Sequence, residues 1–508
     1  MPTIETTYGP IEGRNEHELN IFRGIPYAKP PVGNLRFRPP QPMNPWSKPI
    51  QAHEFGPAAP QIASKLSPDT AHGMSEDCLS LNIWTPGNDD KKRSVMFWIH
   101  GGSFMVGSSK NDVSEGSRLA TRGDVVVVSI NYRMGAFGFL HLAEAGGEDY
   151  ATSSNLGLLD QIAALEWVRD NIANFGGDPD SVTVFGCSAG GISIAALLAM
   201  PAARGLFHRA ITQSGASLAR SADSASTAAH ELMKHAGVSD VEGLQALSME
   251  ELINAQAAAL ATSPKPDVFF GPVVDGNSLP EFPLHAIQNG HAMNVPLLAG
   301  TTLDEMRYWI LSNPAIVNVA PGKMMHVIRR LVGERAESVL ETHRATRPDA
   351  GEADITVAIL SDINFTLPTT RMVESHAQHQ PNTWRYLFTW ASPAQGGLLG
   401  SPHAIEQPFV FGNLSSNFAS IFLKGGEGLE ALSDRVQDAW LAFAKTGDPN
   451  HTGLPEWPTY DAERRAVMQF NDECSLADDP HGNIRQLWDG VPFDGISPPV
   501  GIRPIPRN

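Results

Sequence analysis

The residues best suited to chemistry are a serine and its four neighbours. Residues 186–190 read Gly-Cys-Ser-Ala-Gly, with Ser188 at the centre. They follow the apolar, β-branched run 182–185 and precede the small-residue apolar run 192–200. A tight turn from a strand into a helix needs glycine two places either side of the serine, and it presents the hydroxyl at the N-terminus of the helix. The pattern predicts that Ser188 is a nucleophile; the alternative is an ordinary turn serine.

A serine hydroxyl needs a base to take its proton, and the base needs an acid to hold it. Farther along the chain, the apolar run 295–299 is followed by Asp304 and Glu305, and a later loop carries His403. A carboxylate just beyond the C-terminal end of a strand lies at the edge of the sheet where the nucleophile turn also lies. The residues alone do not choose between Asp304 and Glu305. His403 is one of 17 histidines, so an ordinary loop histidine is its alternative.

Acyl transfer also needs N–H donors for the oxyanion of its intermediate. Residues 100–104 read His-Gly-Gly-Ser-Phe at the end of a nearly continuous apolar run. Such a loop turns backbone amides outward. We expect the N–H groups of Gly102, Ser103 and Ala189 to be the donors; a simple glycine turn after a strand is the alternative.

The periodicity of apolar residues predicts the elements that carry these groups. Runs 94–100 and 125–130 are apolar on both faces, which is typical of strands in a mainly parallel sheet covered on both sides. Run 78–84 alternates as a half-buried strand does. The spacing over 158–172 is helical, and a C-terminal helix around 440–444 ends before Gly447. Shorter apolar runs predict further strands at 182–185, 210–212, 295–299, 384–388 and 467–470.

Alternating strands and helices predict an α/β fold, with helices flanking the sheet. The first ninety residues are rich in turns and strands, and their prolines favour irregular surface chain over helix. The interval from about 220 to 360 is rich in alanine and other helix formers, so we expect helices laid over the sheet there. No linker, charge run or internal repeat divides the 508 residues. We therefore predict one domain, 1–508.

Composition excludes several classes of partner. The formal net charge of −18 argues against nucleic acid and anionic membranes. We find no apolar run of membrane-spanning length, no secretory leader at residues 1–6, and no metal-type ligand spacing or phosphate-binding glycine loop. The three cysteines, Cys78, Cys187 and Cys474, fit a reduced compartment. We expect a cytoplasmic enzyme, with secretion after removal of a leader as the alternative. We also expect that it acts on a small molecule without metal or cofactor, with its oligomeric state open and a monomer favoured.

Several motifs together resemble the type-B carboxylesterase family, which includes the cholinesterases. The resemblance extends from residue 22 to residue 461, and its specific motifs are 75–82, 131–138, 155–161, 175–179, 186–191 and 403–406. It implies the α/β-hydrolase fold, with large insertions that form a gorge. It also implies that the acid of the triad is Glu305, that Ser214 supports the histidine or the glutamate, and that Arg36–Glu76 and Arg133–Asp160 are structural ion pairs.

Departures from the family pattern limit what the resemblance implies. Cys187 stands where the family usually has glutamate, so we expect the acidic limb of the rate profile to lie lower than in relatives with that charge. Ser103 stands where many members have a third glycine, so we expect esters of bulky alcohols to be disfavoured. Secreted members pair the cysteine at the position of Cys78 with an upstream cysteine, which this chain lacks. Pro68 falls where cholinesterases hold choline with a tryptophan. Segment 266–270 reads Pro-Asp-Val-Phe-Phe and lacks the particular pair of phenylalanines that narrows the acyl pocket of cholinesterases. We therefore do not expect a cholinesterase.

These observations predict a serine carboxylic-ester hydrolase that forms an acyl-enzyme on small to medium, mostly apolar esters. Four residues are predicted to line the substrate pocket because they lie close in sequence to catalytic positions: Phe104, Leu218, Phe270 and Trp309. The alternative is that they are ordinary core residues. The rival functions are amide or carbamate hydrolysis by the same triad and, less favoured, a non-catalytic interaction protein of the same fold.

Overall fold

The computed structural model describes residues 1–62, 73–263, 269–311 and 321–491. Its strands are β1 Thr3–Thr6, β2 Gly9–Glu12, β3 Arg14–Glu16, β4 Leu19–Pro26, β5 Ile50–Gln51, β6 Ser80–Thr85, β7 Arg93–Ile99, β8 Val126–Ile130, β9 Gly177–Cys187, β10 Arg209–Gln213, β11 Arg220–Ser221, β12 Val273–Val274, β13 Leu297–Thr302, β14 Thr383–Phe388, β15 Ala466–Phe470 and β16 Ser475–Asp478.

Its helices are α1 Ser117–Gly123, α2 Gly135–Phe139, α3 Ala143–Gly146, α4 Leu156–Asn171, α5 Ala189–Ala199, α6 Ala222–Ala236, α7 Val241–Ala246, α8 Met249–Thr262, α9 Pro283–Gln288, α10 Pro321–Val332, α11 Ala336–Ala345, α12 Glu352–Ser361, α13 Leu367–Ala377, α14 Gln407–Phe411, α15 Asn417–Phe422, α16 Leu429–Thr446 and α17 Gly482–Leu487. A turn of π-helix, Asp362–Thr366, joins α12 to α13. No helix in the described ranges is long and apolar enough to span a bilayer.

A large sheet organises the described part of the chain. Its strand order is β16-β15-β14-β13-β10-β9-β7-β8-β6-β4-β3. From β15 to β8 every neighbouring pair is parallel, and the outer strands β16, β6, β4 and β3 are antiparallel to their neighbours. The prediction of a mainly parallel α/β sheet is therefore confirmed.

The central strand β7 shows that both faces of the sheet are covered. Val95, Phe97 and Ile99 belong to the apolar cluster that contains α4 and α5. Met96 and Trp98 belong to the opposite cluster, with α1 and α16. Because successive side chains of a strand point to opposite faces, an apolar run of this kind requires helices on both sides.

Two expectations about burial were wrong. Strand β6 is buried along its whole length rather than half-buried. Its polar Asn82 is accommodated because its side-chain amide donates to the hydroxyls of Ser109 and Ser129, both at 3.0 Å. The proline-rich chain after β4 is irregular, as predicted, but it is not all surface, because Arg36 is buried. Its guanidinium pairs with Glu76 at 2.5 Å, which is the ion pair that the family resemblance implied.

The interval 220–360 is only partly a helical layer over the sheet. Helices α6, α7 and α8 contribute to the cluster on one face of the sheet. Helices α10, α11 and α12 instead pack with one another and with α17 around a third apolar cluster. The short strands β11 and β12 and the sheet strand β13 also lie in this interval.

Strand register brings the ends of several strands to one edge. Gln213, the last residue of β10, pairs with Cys187 of β9 on one side and with Gly300 of β13 on the other. On the far side of β9, Ile99 at the end of β7 pairs with Gly186. The loops that follow β7, β9, β10 and β13 therefore leave the sheet at the same edge.

Candidate active site

Ser188 lies at the tip of the turn between β9 and α5. Its backbone has φ 58° and ψ −122°, a strained conformation for a residue with a side chain. A Cβ at Gly186 would lie 2.7 Å from Ile99 O, and one at Gly190 would lie 2.0 Å from the same atom. Both positions therefore require glycine, as the sequence predicted. The Ser188 N–H donates to Gln213 O at 2.8 Å, which fixes the turn to the end of β10.

Glu305 and His403 form a buried hydrogen-bonded pair. The Nδ1–H of His403 donates to Glu305 Oε2 at 2.5 Å. The other carboxylate oxygen accepts from the Ser214 hydroxyl at 2.6 Å and from the Thr302 N–H at 2.8 Å. Because Glu305 is fully buried, these donors replace the water that an ionised carboxylate would otherwise need. With its proton on Nδ1, the imidazole keeps a lone pair on Nε2, which is the atom a general base uses.

Asp304, next in the chain to Glu305, has a different role. Its carboxylate accepts from the Ser401 N–H at 3.0 Å, and its own N–H donates to Ser401 O at 2.8 Å. Arg307 lies 3.6 Å from the same carboxylate. Asp304 thus holds the backbone of the loop that carries His403, and of these two carboxylates only Glu305 contacts the imidazole.

The strand β10 connects the nucleophile turn to this pair. Gln213 accepts the Ser188 N–H, and the next residue, Ser214, donates to Glu305. The Ser214 N–H also donates to Gly300 O at 2.8 Å, at the end of β13. Within the described residues, no hydrogen bond joins Ser188 to His403. The structure therefore places the Ser188 turn and the Glu305–His403 pair at one edge of the sheet, without a direct hydrogen bond between the serine and the histidine.

In the loop after β7, the carbonyl groups of two successive peptides accept hydrogen bonds from other residues of the protein. The neutral ring of His100, whose pKa burial lowers to about 4, donates from Nδ1 to Gly101 O at 2.8 Å. Met105 and Val106 both donate backbone N–H groups to Gly102 O at 3.0 Å. In a trans peptide the N–H points away from the carbonyl. The N–H groups of Gly102 and Ser103 therefore point away from these donors.

The loop that carries these N–H groups approaches the nucleophile at Gly101. A Cβ at Gly101 would lie 3.1 Å from the Cβ of Ser188. In the described part of the chain, neither Gly102 nor Ser103 donates its N–H to a protein acceptor. Ala189 is the first residue of α5, so its N–H has no partner within the helix. The three predicted donors thus have N–H groups available for a ligand.

Three aromatic rings surround the imidazole of His403. The ring centroid of Phe365 lies 4.8 Å from it, that of Trp309 5.1 Å and that of Tyr308 5.8 Å. Trp309 was predicted as a pocket wall, whereas Phe365 was missed. Phe365 lies in the π-turn, and its run reads in sequence as continuous helix, so periodicity gives no signal that its side chain faces His403.

The other predicted pocket walls have no ring contact with His403 among the described residues. Phe104 is buried edge-on against Phe139, at 4.9 Å, and Phe270 is buried against Phe269, at 5.0 Å. Leu218 is half-buried. Their role in the pocket stays a prediction. Pro68 and residues 266–268 lie outside the described residues.

Glu406 and Cys187 are fully buried, and both lie within electrostatic reach of Glu305. Burial first, and then the charge of Glu305, raise the pKa of Glu406 to about 7. One oxygen of Glu406 has no partner in the described structure, and the other accepts from Gln213 Nε2 at 3.4 Å. Burial, and then Glu406 and Glu305, raise the pKa of the Cys187 thiol well above its usual value, so the thiol is neutral. In the sequence, Glu406 was recognised only as part of a motif, and no role was predicted for it.

The sheet and the strand–serine–helix turn are those of the α/β-hydrolase fold. The sequence profile of the carboxylesterase family matches residues 1–488. The chain belongs to the carboxylesterase family, and it is a carboxylic-ester hydrolase.

Similar proteins span nearly the whole chain. The para-nitrobenzyl esterase of Bacillus subtilis (strain 168) is 40% identical over 95% of this chain and 97% of its own length. The phenmedipham hydrolase of Pseudarthrobacter oxydans is 36% identical over 96% of this chain and 99% of its own length. The crystal structure of a carboxylesterase of Geobacillus stearothermophilus superposes with a TM-score of 0.87, at 40% identity, and covers 96% of this chain and 100% of that one.

Proposed function

We propose that this protein hydrolyses small to medium, mostly apolar carboxylic esters through an acyl-enzyme on Ser188. The observation that supports the proposal most strongly is the 2.5 Å hydrogen bond between His403 and the buried Glu305, at the sheet edge that also carries the Ser188 turn. A histidine fixed in this tautomer can accept a proton only at Nε2.

In the first step, His403 takes the Ser188 proton as the hydroxyl oxygen attacks the ester carbonyl. Glu305 holds the imidazole and stabilises the imidazolium that forms. The N–H groups of Gly102, Ser103 and Ala189 bind the oxyanion of the tetrahedral intermediate. His403 then protonates the leaving alcohol as the C–O bond breaks. Water, activated by His403, attacks the acyl-enzyme and releases the acid by the same route.

The apolar substrate class follows from the surroundings of the imidazole. Trp309, Phe365 and Tyr308 present aromatic surface next to the proposed reaction centre. Aromatic side chains contribute large contact areas to an apolar ligand. We therefore propose that the ester places an apolar group against these rings.

The test uses p-nitrophenyl esters of increasing acyl length, with the purified wild type and Ser188→Ala. The wild type should hydrolyse the series, and the variant should lose roughly 10³-fold or more in kcat. Unchanged hydrolysis by the variant would reject the proposal.

A second candidate is hydrolysis of a carbamate or an amide by the same residues. The observation in its favour is that the similar proteins include the phenmedipham hydrolase. Ester and amide cleavage differ in the protonation of the leaving group, so matched p-nitrophenyl acetate and p-nitroacetanilide separate them. A higher kcat/KM for the anilide would favour the second candidate.

A further inference from the structure

A second buried histidine lies outside the proposed catalytic residues. His343, on α11, is fully buried, and both of its ring nitrogens are engaged. Nδ1 lies 2.8 Å from Val339 O, and Nε2 lies 2.9 Å from Asp362 Oδ2. A carbonyl and an ionised carboxylate can only accept hydrogen bonds. With Asp362 ionised, both bonds form together when the ring carries two protons, and the contact at 2.9 Å is then an ion pair.

Asp362 is the first residue of the π-turn Asp362–Thr366. Turns of π-helix inside an α-helix are rare and are frequent at functional sites. This one carries Phe365 to the imidazole of His403, at 4.8 Å, and to a stacked contact with Trp309, at 5.8 Å. The residue before it, Ser361, accepts the Met306 N–H at 3.1 Å, so the turn also supports the backbone next to Glu305.

We propose that His343 and Asp362 are positioning residues: their ion pair anchors the π-turn so that Phe365 forms a fixed wall against His403 for the bulky part of the ester. The inference rests on the proposed function and adds a determinant of substrate choice about which the family resemblance says nothing. Side chains in close contact and joined by one backbone segment are energetically coupled. Loss of the charge at Asp362 therefore loosens the wall without touching the proposed nucleophile, base or acid.

The chain offers a matched control that joins the same two helices. Arg344, next to His343 on α11, pairs with Glu352 at the start of α12, at 2.8 Å. These side chains are 46% and 57% exposed, and Glu352 is at the opposite end of α12 from the π-turn. Glu352→Gln removes an ion pair between α11 and α12 and leaves the π-turn intact.

The experiment measures kcat/KM for p-nitrophenyl acetate and p-nitrophenyl benzoate in wild type, Asp362→Asn, Phe365→Leu, the double variant and Glu352→Gln. Asp362→Asn should lower kcat/KM for the benzoate about tenfold and for the acetate less than about twofold. In the Phe365→Leu background, Asp362→Asn should have no further effect on the ratio of the kcat/KM values for the two esters. Glu352→Gln should match the wild type.

Equal losses on both esters, or the same loss with Phe365 already replaced, would overturn the inference, because a merely structural pair would act in that way. If Asp362→Asn does not fold, His343→Gln replaces it, since the glutamine amide still donates to Asp362; the same dependence on the ester is expected and its absence is equally decisive. Hydrolysis by Ser188→Ala at the wild-type rate would instead reject the proposed function, so the two failures are distinguishable.

Discussion

Two buried histidine–carboxylate pairs lie in different regions of this molecule. In the pair at the sheet edge, His403 uses one nitrogen to hold Glu305, and its Nε2 has no protein partner in the described structure. In the pair among the helices of the third apolar cluster, His343 uses both nitrogens, one for Val339 O and one for Asp362. A histidine can transfer protons only through a nitrogen that is not already committed. Burial and a carboxylate neighbour therefore do not by themselves identify a catalytic histidine.

The largest expected effect separates these two histidines. His403→Gln should lower kcat roughly 10³- to 10⁶-fold, because it removes the base and the later proton donor. His343→Gln should change kcat on p-nitrophenyl acetate by less than about tenfold, since the substituted side chain does not reach the reacting atoms. Steady-state kinetics of both variants checks this. Similar losses in the two would remove the distinction between the pairs.

The next effect separates the two adjacent carboxylates. Glu305→Gln should lower kcat about 10⁴-fold, as loss of the orienting acid does in comparable triads. Asp304→Asn keeps an oxygen that can accept the Ser401 N–H, and it should cost about tenfold or less. A larger loss in Asp304→Asn than in Glu305→Gln would show that the acid has been assigned to the wrong residue.

A charge introduced at position 187, close to Glu305 and Glu406, sharpens the comparison further. Cys187 is neutral and buried, and Cys187→Glu introduces a carboxylate that favours the imidazolium. The acidic limb of the kcat/KM profile should move to higher pH by about one unit. Cys187→Gln, which adds no charge, should leave the limb in place. An unmoved limb in Cys187→Glu would reject the electrostatic role of this position.

The smallest effect concerns stability rather than rate. The pKa of Glu406 is raised to about 7 in the folded protein from 4.5, so between these values the native state holds a proton that the unfolded state has lost. The stability due to this proton is complete below about pH 4.5 and is lost as the pH rises through 7. The free energy of unfolding of Glu406→Gln, relative to that of the wild type, should therefore increase by up to about 3 kcal/mol between pH 5 and pH 8.

Denaturant unfolding of wild type and Glu406→Gln at the two pH values measures this difference. Glutamine can still accept from Gln213 Nε2, so the comparison isolates the ionisation. If the two proteins differ in free energy of unfolding by the same amount at both pH values, Glu406 does not titrate between them.

Local patterns were sufficient to predict the parts of the site that depend on the backbone. The turn at Ser188 and the loop at 100–104 are fixed by glycines and by the strands before them, and both signals lie within a few residues. The parallel sheet followed from runs that are apolar on both faces. The single domain, the cytoplasmic location and the monomeric state stay predictions.

Features that depend on long-range packing could not be predicted in this way. Asp304 and Glu305 are adjacent, and only the surrounding loops decide which carboxylate turns towards His403. The π-turn that aims Phe365 adds one residue to a helix and leaves no trace in the periodicity. The full burial of β6 was missed because its hydrogen-bonding partners, Ser109 and Ser129, lie elsewhere in the sequence.

The central claim is that the hydroxyl of Ser188 is activated by the free nitrogen of His403. Labelling with an aryl phosphonate ester, followed by peptide mass spectrometry, tests it most directly. The wild type should carry one adduct, on Ser188, and His403→Gln should label at least about 10³-fold more slowly. An adduct on another residue, or labelling of His403→Gln at the wild-type rate, would contradict the account.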